Sequence, residues 1–164
     1  MDAITTLKSR RSIRRYDPRP VPRLVLEDLV DCARLAPSGY NHQHWVFVVV
    51  TERETRVRLA ELARYGRFLA EAGACVAVFG ARDAECLLED CCAATENLII
   101  AARAHGLGTC WVNSFRKEHS AAVQKLLGAA ECYELVSLVA VGYPAEEPVR
   151  VKKPLAEVLR WEHF

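Results

Sequence analysis

Two short apolar runs, residues 45–50 and 75–79, place the strongest constraint on how this chain of 164 residues can fold. Both are rich in β-branched and aromatic residues and neither alternates with polar ones, which is typical of central strands covered on both faces. Residues 51–70 have helical spacing, and residues 83–105 are apolar almost all round, as in a buried helix. Because helices and strands are mixed without strict alternation, the sequence predicts an α+β fold.

The remaining segments complete this prediction. A short helix is expected after Asp2, with Ile4 and Leu7 on one face. A second helix, which ends before Pro37, carries an apolar stripe formed by Leu26, Leu29, Val30 and Ala33. Further strands are expected at residues 109–112 and 135–141, and further helices at residues 117–127 and 154–159. Residues 145–153, between the last strand and the last helix, form an irregular tail. Ordering this tail costs conformational entropy unless it packs on another surface.

Length and composition predict a single domain, residues 1–164, with a substantial core. A chain of this mass buries about 69% of the surface of its unfolded form, and the 51% hydrophobic content is sufficient to fill that interior. The 22 basic and 21 acidic residues give a net charge of +1, so bulk nucleic acid is not indicated as a partner. The balanced charge and high apolar content also exclude a disordered chain.

The seven cysteines are interpreted as reduced residues of a cytoplasmic protein. Their number is odd, and the first eight residues lack the apolar core of a signal peptide. Cys86, Cys91 and Cys92 lack the C-x-x-C spacing of a metal site, so no metal is expected there. Cys110 is expected to be an inert thiol inside a strand rather than a nucleophile. The apolar stretches are far shorter than the ~20 residues that span a bilayer, so no membrane role is predicted.

Basic residues are concentrated near the N-terminus. Between Lys8 and Arg23 the sequence holds seven cations and one anion. Guanidinium groups bind phosphate oxygens in pairs, and the hydroxyl of Ser12 can add a donor. The segment therefore predicts a site for a phosphorylated small molecule, with a solvated, ion-paired helix end as the alternative.

Polar groups also precede the first apolar run. Ser38, Asn41 and Gln43 present hydroxyl and amide groups next to Gly39, a combination suited to binding the edge of a planar heterocycle. The alternative is a polar loop that follows a capped helix end.

A third polar segment, residues 106–115, contains two close glycines. Gly106 and Gly108 allow backbone amides to approach a ligand, but they equally suit a helix end followed by a strand. Neither a G-x-G-x-x-G fingerprint after a strand nor a P-loop occurs in the sequence.

Together these segments resemble the nitroreductase family, flavin-dependent oxidoreductases that hold FMN between two subunits. The resemblance lies in residues 10–14, residues 36–38 with Asn41 and Gln43, residues 106–111, and residues 142–144 followed by a basic tail. It implies a three-layer fold in which helices flank a central, mostly antiparallel sheet, in an intertwined homodimer with FMN at the interface. Residues 145–164 are then expected to form a C-terminal arm that packs on the partner subunit.

The resemblance also implies a set of residues that bind FMN. Those expected at the phosphate are Arg10, Arg150, Lys152 and Lys153. Arg11 and Ser12 are expected at the polar parts of the flavin, and Arg14 beside N1 and O2, where negative charge accumulates on reduction. The loop expected from the partner subunit comprises Pro37, Ser38, Gly39, Tyr40, Asn41 and Gln43. The residues expected to line the ring near N5 are Trp111, Val112, Asn113 and Ser114.

The reaction implied is a ping-pong transfer in which NAD(P)H delivers hydride to flavin N5 and an electron-poor acceptor, such as a nitroaromatic or a quinone, then takes the electrons. FMN does the chemistry, so no catalytic side chain is required. His44 stands where the family often has proline, and Arg67 is the candidate for a cation that larger members place at the flavin. Two alternatives stay open: another FMN reaction on this fold, such as that of an oxidase or dehalogenase, and a non-enzymatic module that binds anions or nucleic acid through the basic segment.

Overall fold

The computed structural model describes residues 2–164 and contains helices and strands in mixed order. The helices are α1 (Ala3–Ser9), α2 (Arg23–Arg34), α3 (Arg53–Leu62), α4 (Leu87–Ala104), α5 (Ser120–Leu127) and α6 (Leu155–Val158). The strands are β1 (Tyr16–Asp17), β2 (Trp45–Val50), β3 (Ala74–Ala81), β4 (Gly108–Asn113) and β5 (Tyr133–Pro144). Single 3-10 turns lie at Gly39–Asn41 and Arg67–Ala70.

The strands form one sheet organised around β5, the longest strand. β5 pairs with β1, β3 and β4, and β3 also pairs with β2. All of these ladders are antiparallel, and one isolated parallel bridge joins Ser12 to Thr109. The predicted α+β fold with a central, mostly antiparallel sheet is confirmed.

Helices cover both faces of the sheet, so the structure has the three layers expected. On one face α2 and α4 bury Leu29 and Leu98 against Val76 of β3. On the other face α3 and α5 bury Leu59 and Val123 against the neighbouring residues of β3 and β5. Alternate residues of β3 therefore enter opposite cores, and this explains why its sequence is apolar without alternation.

The prediction that residues 45–50 form a central strand is wrong. Within residues 2–164, β2 pairs with β3 alone and lies at the edge of the sheet, and Val46 and Val49 are each 38% exposed. An unbroken apolar run predicts that both faces of a strand are buried, but it does not show which segment, or which copy of the chain, packs on them. The apolar character of β2 exceeds what a single copy of the chain buries.

The helical predictions agree with the structure except in their extent. In α2 the residues Leu26, Leu29 and Ala33 are buried, as the stripe predicts, and α4 is the longest helix. The helix expected over residues 51–70 ends at Leu62, because Ala63 adopts an extended conformation, and a separate 3-10 turn follows.

Apolar side chains near both ends of the chain stay exposed. Asp2 caps α1 as predicted, accepting a hydrogen bond from the Thr5 amide at 3.1 Å, yet Ile4 and Leu7 are exposed by half or more. The segment of residues 145–164 lies mostly on the surface, with exposed apolar side chains at Val149, Val151, Leu155, Val158, Trp161 and Phe164. No helix in the described residues is long and apolar enough to cross a bilayer.

Candidate functional site

The predicted basic segment lies directly against β4. The Ile13 amide donates to the Thr109 carbonyl at 2.8 Å, next to the parallel bridge between Ser12 and Thr109. A Cβ added at Gly108 would lie only 2.7 Å from Ile13 Cγ1, so glycine is required for this close approach. The contact between residues 10–14 and β4 separates two cavities.

The first cavity, of about 470 Å³, combines cations with carboxylates. Arg10, Arg11 and Arg103 line it together with Glu146 and Glu147. One Arg11 nitrogen donates to the Lys8 and Arg10 carbonyls at 3.0 and 2.8 Å, and these bonds leave the remaining guanidinium donors for a ligand. Three cations and two acids leave a net positive charge, which suits an anion.

The start of the tail is anchored at this cavity. The Glu146 carboxylate accepts hydrogen bonds from the Arg14 and Arg15 amides at 2.5 and 3.2 Å. The Ala145 amide donates in turn to the Arg15 carbonyl at 2.9 Å. The tail therefore leaves β5 beside the basic segment.

The second cavity, of about 510 Å³, is lined by aromatic and basic residues. Its aromatic lining consists of Tyr65, Phe68 and Trp111, and its basic lining of Arg14, Arg64 and Lys117. The Arg14 guanidinium carbon lies 5.9 Å from the centre of the Phe68 ring, within the range of a cation–π contact. A planar ligand that gains negative charge fits such a lining.

Ser114 and His119 support the wall of the second cavity. The Ser114 hydroxyl is buried, donates to the Val112 carbonyl at 3.3 Å and lies 2.9 Å from His119 Nε2. Burial lowers the pKa of His119. The Ser114 side chain is fully buried and does not line the cavity, whereas His119 does.

The polar loop at residues 38–43 has a strained backbone. Tyr40, Asn41 and Gln43 have φ angles of 51°, 59° and 49°, in the left-handed region that favours glycine. Such residues cost on the order of 1 kcal/mol each and concentrate at functional sites. Their side chains are exposed, and the backbone N–H of Gln43 donates to Ser38 Oγ at 3.1 Å.

A known protein family matches most of this sequence. The model of the nitroreductase family matches residues 7–66 and 63–143. A protein of Archaeoglobus fulgidus, provisionally named NADH dehydrogenase/NAD(P)H nitroreductase, is 35% identical over 152 residues, which cover 89% of this chain and 87% of that protein. This chain belongs to the nitroreductase family.

Solved structures of nitroreductases have the same fold. The crystal structure of a provisionally named NADH dehydrogenase/NAD(P)H nitroreductase from Parabacteroides distasonis superposes with a TM-score of 0.93 at 27% identity, covering 99% of this chain and 98% of that one. An FMN-dependent nitroreductase from Clostridium difficile has a TM-score of 0.92 at 24% identity, covering 98% and 99% of the two chains. At that identity the second likeness concerns the fold alone.

Within one copy of this nitroreductase-family chain, the structure brings together only part of the predicted site. Arg10 and Arg11 line the first cavity, and the predicted residues at the second are Arg14, Trp111, Val112 and Asn113. Ser12, which forms the bridge to Thr109, lines neither cavity. The predicted residues that line neither cavity are Pro37, Ser38, Gly39, Tyr40, Asn41, Gln43, Ser114, Arg150, Lys152 and Lys153.

The structure adds residues that sequence reasoning missed. Arg64, rather than Arg67, lines the second cavity, and Lys117 joins it there. Both arginines follow the end of α3 at Leu62, and the helical spacing of the sequence does not show that end. Asp90 was also missed, because no motif in the sequence marks its contact with His44.

The cations between Lys8 and Arg23 do not form one open face. Arg19 pairs with Asp17 at 3.0 Å, and Arg23 pairs with Glu27 at 2.7 Å. Arg10 and Arg11 line the first cavity and Arg14 lines the second, an arrangement unlike the continuous basic patch or stripe that is typical of nucleic-acid binding.

The cysteines give no sign of metal or nucleophilic chemistry. All seven are free thiols in the described structure, and residues 2–164 hold no cluster of three or more His, Cys, Asp or Glu side chains placed to bind a metal. Burial raises the pKa of Cys110, although it lies beside the second cavity, and a raised pKa disfavours the reactive thiolate.

Proposed function

We propose that this protein is an FMN-dependent NAD(P)H oxidoreductase that works as a homodimer. The observation that supports it most is the pair of cavities on either side of the contact between residues 10–14 and β4. One offers guanidinium groups to an anion, and the other offers aromatic walls and Arg14 to a ring. FMN has both a phosphate and a ring, and the relatives carry names that refer to NAD(P)H and FMN.

The phosphate is proposed to bind at the first cavity. Arg10 and Arg11 supply the guanidinium donors there. Ser12, which follows them in the chain, is proposed to add its hydroxyl. The basic residues of the tail, Arg150, Lys152 and Lys153, are exposed, and they are proposed to complete the charge at the phosphate of an FMN in the dimer.

The ring is proposed to bind at the second cavity, against Trp111, Val112 and Asn113 of β4. When bound there, FMN supplies the chemistry by accepting hydride from NAD(P)H and returning it to an electron-poor acceptor such as a nitroaromatic or quinone. Arg14 holds a positive charge beside the ring edge that becomes negative on reduction. The aromatic side chains are proposed to shield the ring from water, and donor and acceptor are proposed to bind there in turn, in a ping-pong order.

A second copy of the chain is proposed to complete the site. The exposed apolar residues of the arm, residues 145–164, and the open edge of β2 are surfaces that a single copy leaves uncovered. Covering them in a homodimer would bury apolar area, and we propose that it brings the polar loop, residues 38–43, together with Pro37 to the ring of the partner subunit.

Turnover by the flavin-loaded protein tests this function. The purified, desalted protein should carry a yellow pigment with the mass of FMN, and it should oxidise NADH or NADPH in the presence of a quinone. Inactivity with both donors would contradict the proposal. Bound FMN together with an absence of reduction by either donor would favour the oxidase or dehalogenase alternative.

A further inference from the structure

One buried carboxylate contacts both ends of the strained polar loop. Asp90, in the first turn of α4, is only 5% exposed. Its oxygens accept the Gly39 amide at 3.0 and 3.1 Å, and Oδ2 lies 2.9 Å from His44 Nε2. Since a carboxylate can only accept, His44 Nε2 carries the hydrogen in this contact. A single side chain therefore fixes the backbone where the loop begins and where it ends.

The interior of the loop needs such an external restraint. The residues between the two contacts include Tyr40, Asn41 and Gln43, all with positive φ. The internal hydrogen bonds are local, such as that from the Asn41 amide to the Ser38 carbonyl at 3.0 Å. The loop points its polar side chains outward, so no core packing of its own holds this backbone in place.

The surroundings leave both ends little freedom. A Cβ added at Gly39 would lie 2.8 Å from Cys86 Sγ, and one added at Gly80 would lie 3.2 Å from His44 Nδ1. That ring nitrogen is buried and has no hydrogen-bond partner within the described residues. An unpartnered buried nitrogen lowers the stability of the fold, so stability alone does not explain the placement of His44.

We propose that Asp90 and His44 are positioning residues that hold residues 38–43 in the conformation that receives the flavin of the partner subunit. This inference rests on the proposed function. Neither side chain touches the flavin in this account. They act through the Gly39 amide and through the backbone that enters β2, and they preset the loop before the cofactor arrives.

Titration of the full-length apoprotein with FMN tests the proposal, with quenching of flavin fluorescence as the signal. Asp90→Asn preserves the volume but leaves one acceptor oxygen where two donors converge. We expect the Kd for FMN to rise at least tenfold. The midpoint of thermal unfolding of the apoprotein, measured on the same samples, reports stability separately.

Two variants at His44 provide the rescue test. His44→Phe removes the donor, whereas His44→Gln places an amide N–H near the position of Nε2. We expect His44→Phe to weaken FMN binding. We expect His44→Gln to retain affinity within about threefold of the original chain, because only this variant keeps a hydrogen bond to the Asp90 carboxylate. This pair also decides the proposal if Asp90→Asn fails to fold.

Asp28→Asn is the matched control. Asp28 Oδ2 also contacts a histidine, His105 Nε2, at 2.6 Å, but this pair is exposed and links α2 to the end of α4. Its loss should leave FMN affinity unchanged. Equal FMN affinity in Asp90→Asn and the original chain, with only the unfolding temperature lowered, would overturn the inference. An original chain that takes up no FMN would overturn the proposed function and this inference with it.

Discussion

Arg14 is the residue at which charge and aromatic surface meet in this site. It is exposed in the single copy, lines the second cavity and lies 5.9 Å from the centre of the Phe68 ring. A cation in this position stabilises a nearby ring more when the ring is negative than when it is neutral.

Replacing Arg14 with alanine is expected to lower the reduction potential of bound flavin and to weaken its retention while the fold stays intact. A loss of about 1.4 kcal/mol in the stabilisation of the reduced form corresponds to about 30 mV for a two-electron couple. The potential can be measured by equilibration with a redox dye. Arg15→Ala is the matched control, since Arg15 is exposed but lines neither cavity. Equal potentials in the two variants would place Arg14 away from the ring.

For single residues, the sequence predicts which residue types form the site better than it predicts which side chains line a cavity. The concentration of arginines near the N-terminus is visible in the sequence, and two of them, Arg10 and Arg14, do enter separate cavities. The sequence does not show that Arg64, rather than Arg67, lines the second cavity. The contact of Gly39 with Asp90 joins residues 51 positions apart, and local spacing carries no information about it.

Among the elements, the contact between residues 10–14 and β4 determines the geometry of both cavities. It depends on Gly108, whose backbone lies against Ile13. The tyrosine that follows this segment reinforces it, because the buried Tyr16 hydroxyl donates to the Ile13 carbonyl at 2.5 Å. Burial raises the pKa of Tyr16, so this donor keeps its hydrogen.

Gly108→Ala is expected to destabilise the protein by about 1–3 kcal/mol through overpacking and to weaken FMN binding. The nearest atoms to the added Cβ are Cγ1, Cβ and Cγ2 of Ile13, at 2.7 to 3.0 Å. Ile13→Ala removes two of these three atoms. The double variant should therefore be less destabilised than the sum of the single variants, as a denaturant titration of each can measure. If the losses in unfolding free energy of the two single variants simply add in the double variant, the contact with Ile13 is not the cause of the destabilisation.

The same scale shows what apolar patterning can and cannot predict. The buried strand β3 follows from its sequence, because each of its faces meets a helical layer of the same chain. The equally apolar β2 lies at an edge, because pairing order depends on contacts between distant segments. Its apolar surplus, at Val46 and Val49, is explained by a neighbour outside the chain, which the proposed dimer provides.

For the whole molecule, the exposed arm, residues 145–164, is the feature that one copy leaves unexplained. Leu155 on α6 is 70% exposed and Trp161 is 76% exposed. Large apolar side chains displayed in this way mark interaction surfaces. Glu146, the second residue of the arm, accepts a hydrogen bond from the Arg14 amide and lines the first cavity. The start of the arm is therefore fixed beside that cavity.

Leu155→Asp is expected to weaken the dimer and, with it, FMN retention, because a carboxylate replaces apolar surface proposed to be buried by the partner subunit. Light scattering at several protein concentrations measures the mass in solution. Glu157→Asp, on the same helix, is the control and should leave the dimer unchanged. A dimer of the same strength in both variants would place the interface elsewhere.

Stability of the whole fold is expected to fall in alkaline solution. Burial raises the pKa of Cys75 and of Cys91 to about 12, against 9.0 for an ordinary thiol. As the pH rises above 9, the unfolded chain therefore loses these protons before the folded chain does. Each thiol then removes about 1.4 kcal/mol of unfolding free energy per pH unit until its folded pKa is reached.

Denaturant titrations at about pH 8 and about pH 10 measure this loss, on either side of the ordinary thiol pKa. Cys75→Ala should reduce the difference between the two free energies, although it lowers both by removing buried sulfur. Cys132→Ala is the control because Cys132 is exposed. A pH dependence identical in all three proteins would contradict the account.

The most direct test of the central claim is anaerobic mixing of the FMN-loaded protein with NADH and, separately, with NADPH, while the visible flavin band is recorded. At least one donor is expected to bleach the band, and a quinone added afterwards is expected to restore it. A band that neither donor changes, in protein shown to hold FMN, would contradict the assignment as an NAD(P)H oxidoreductase.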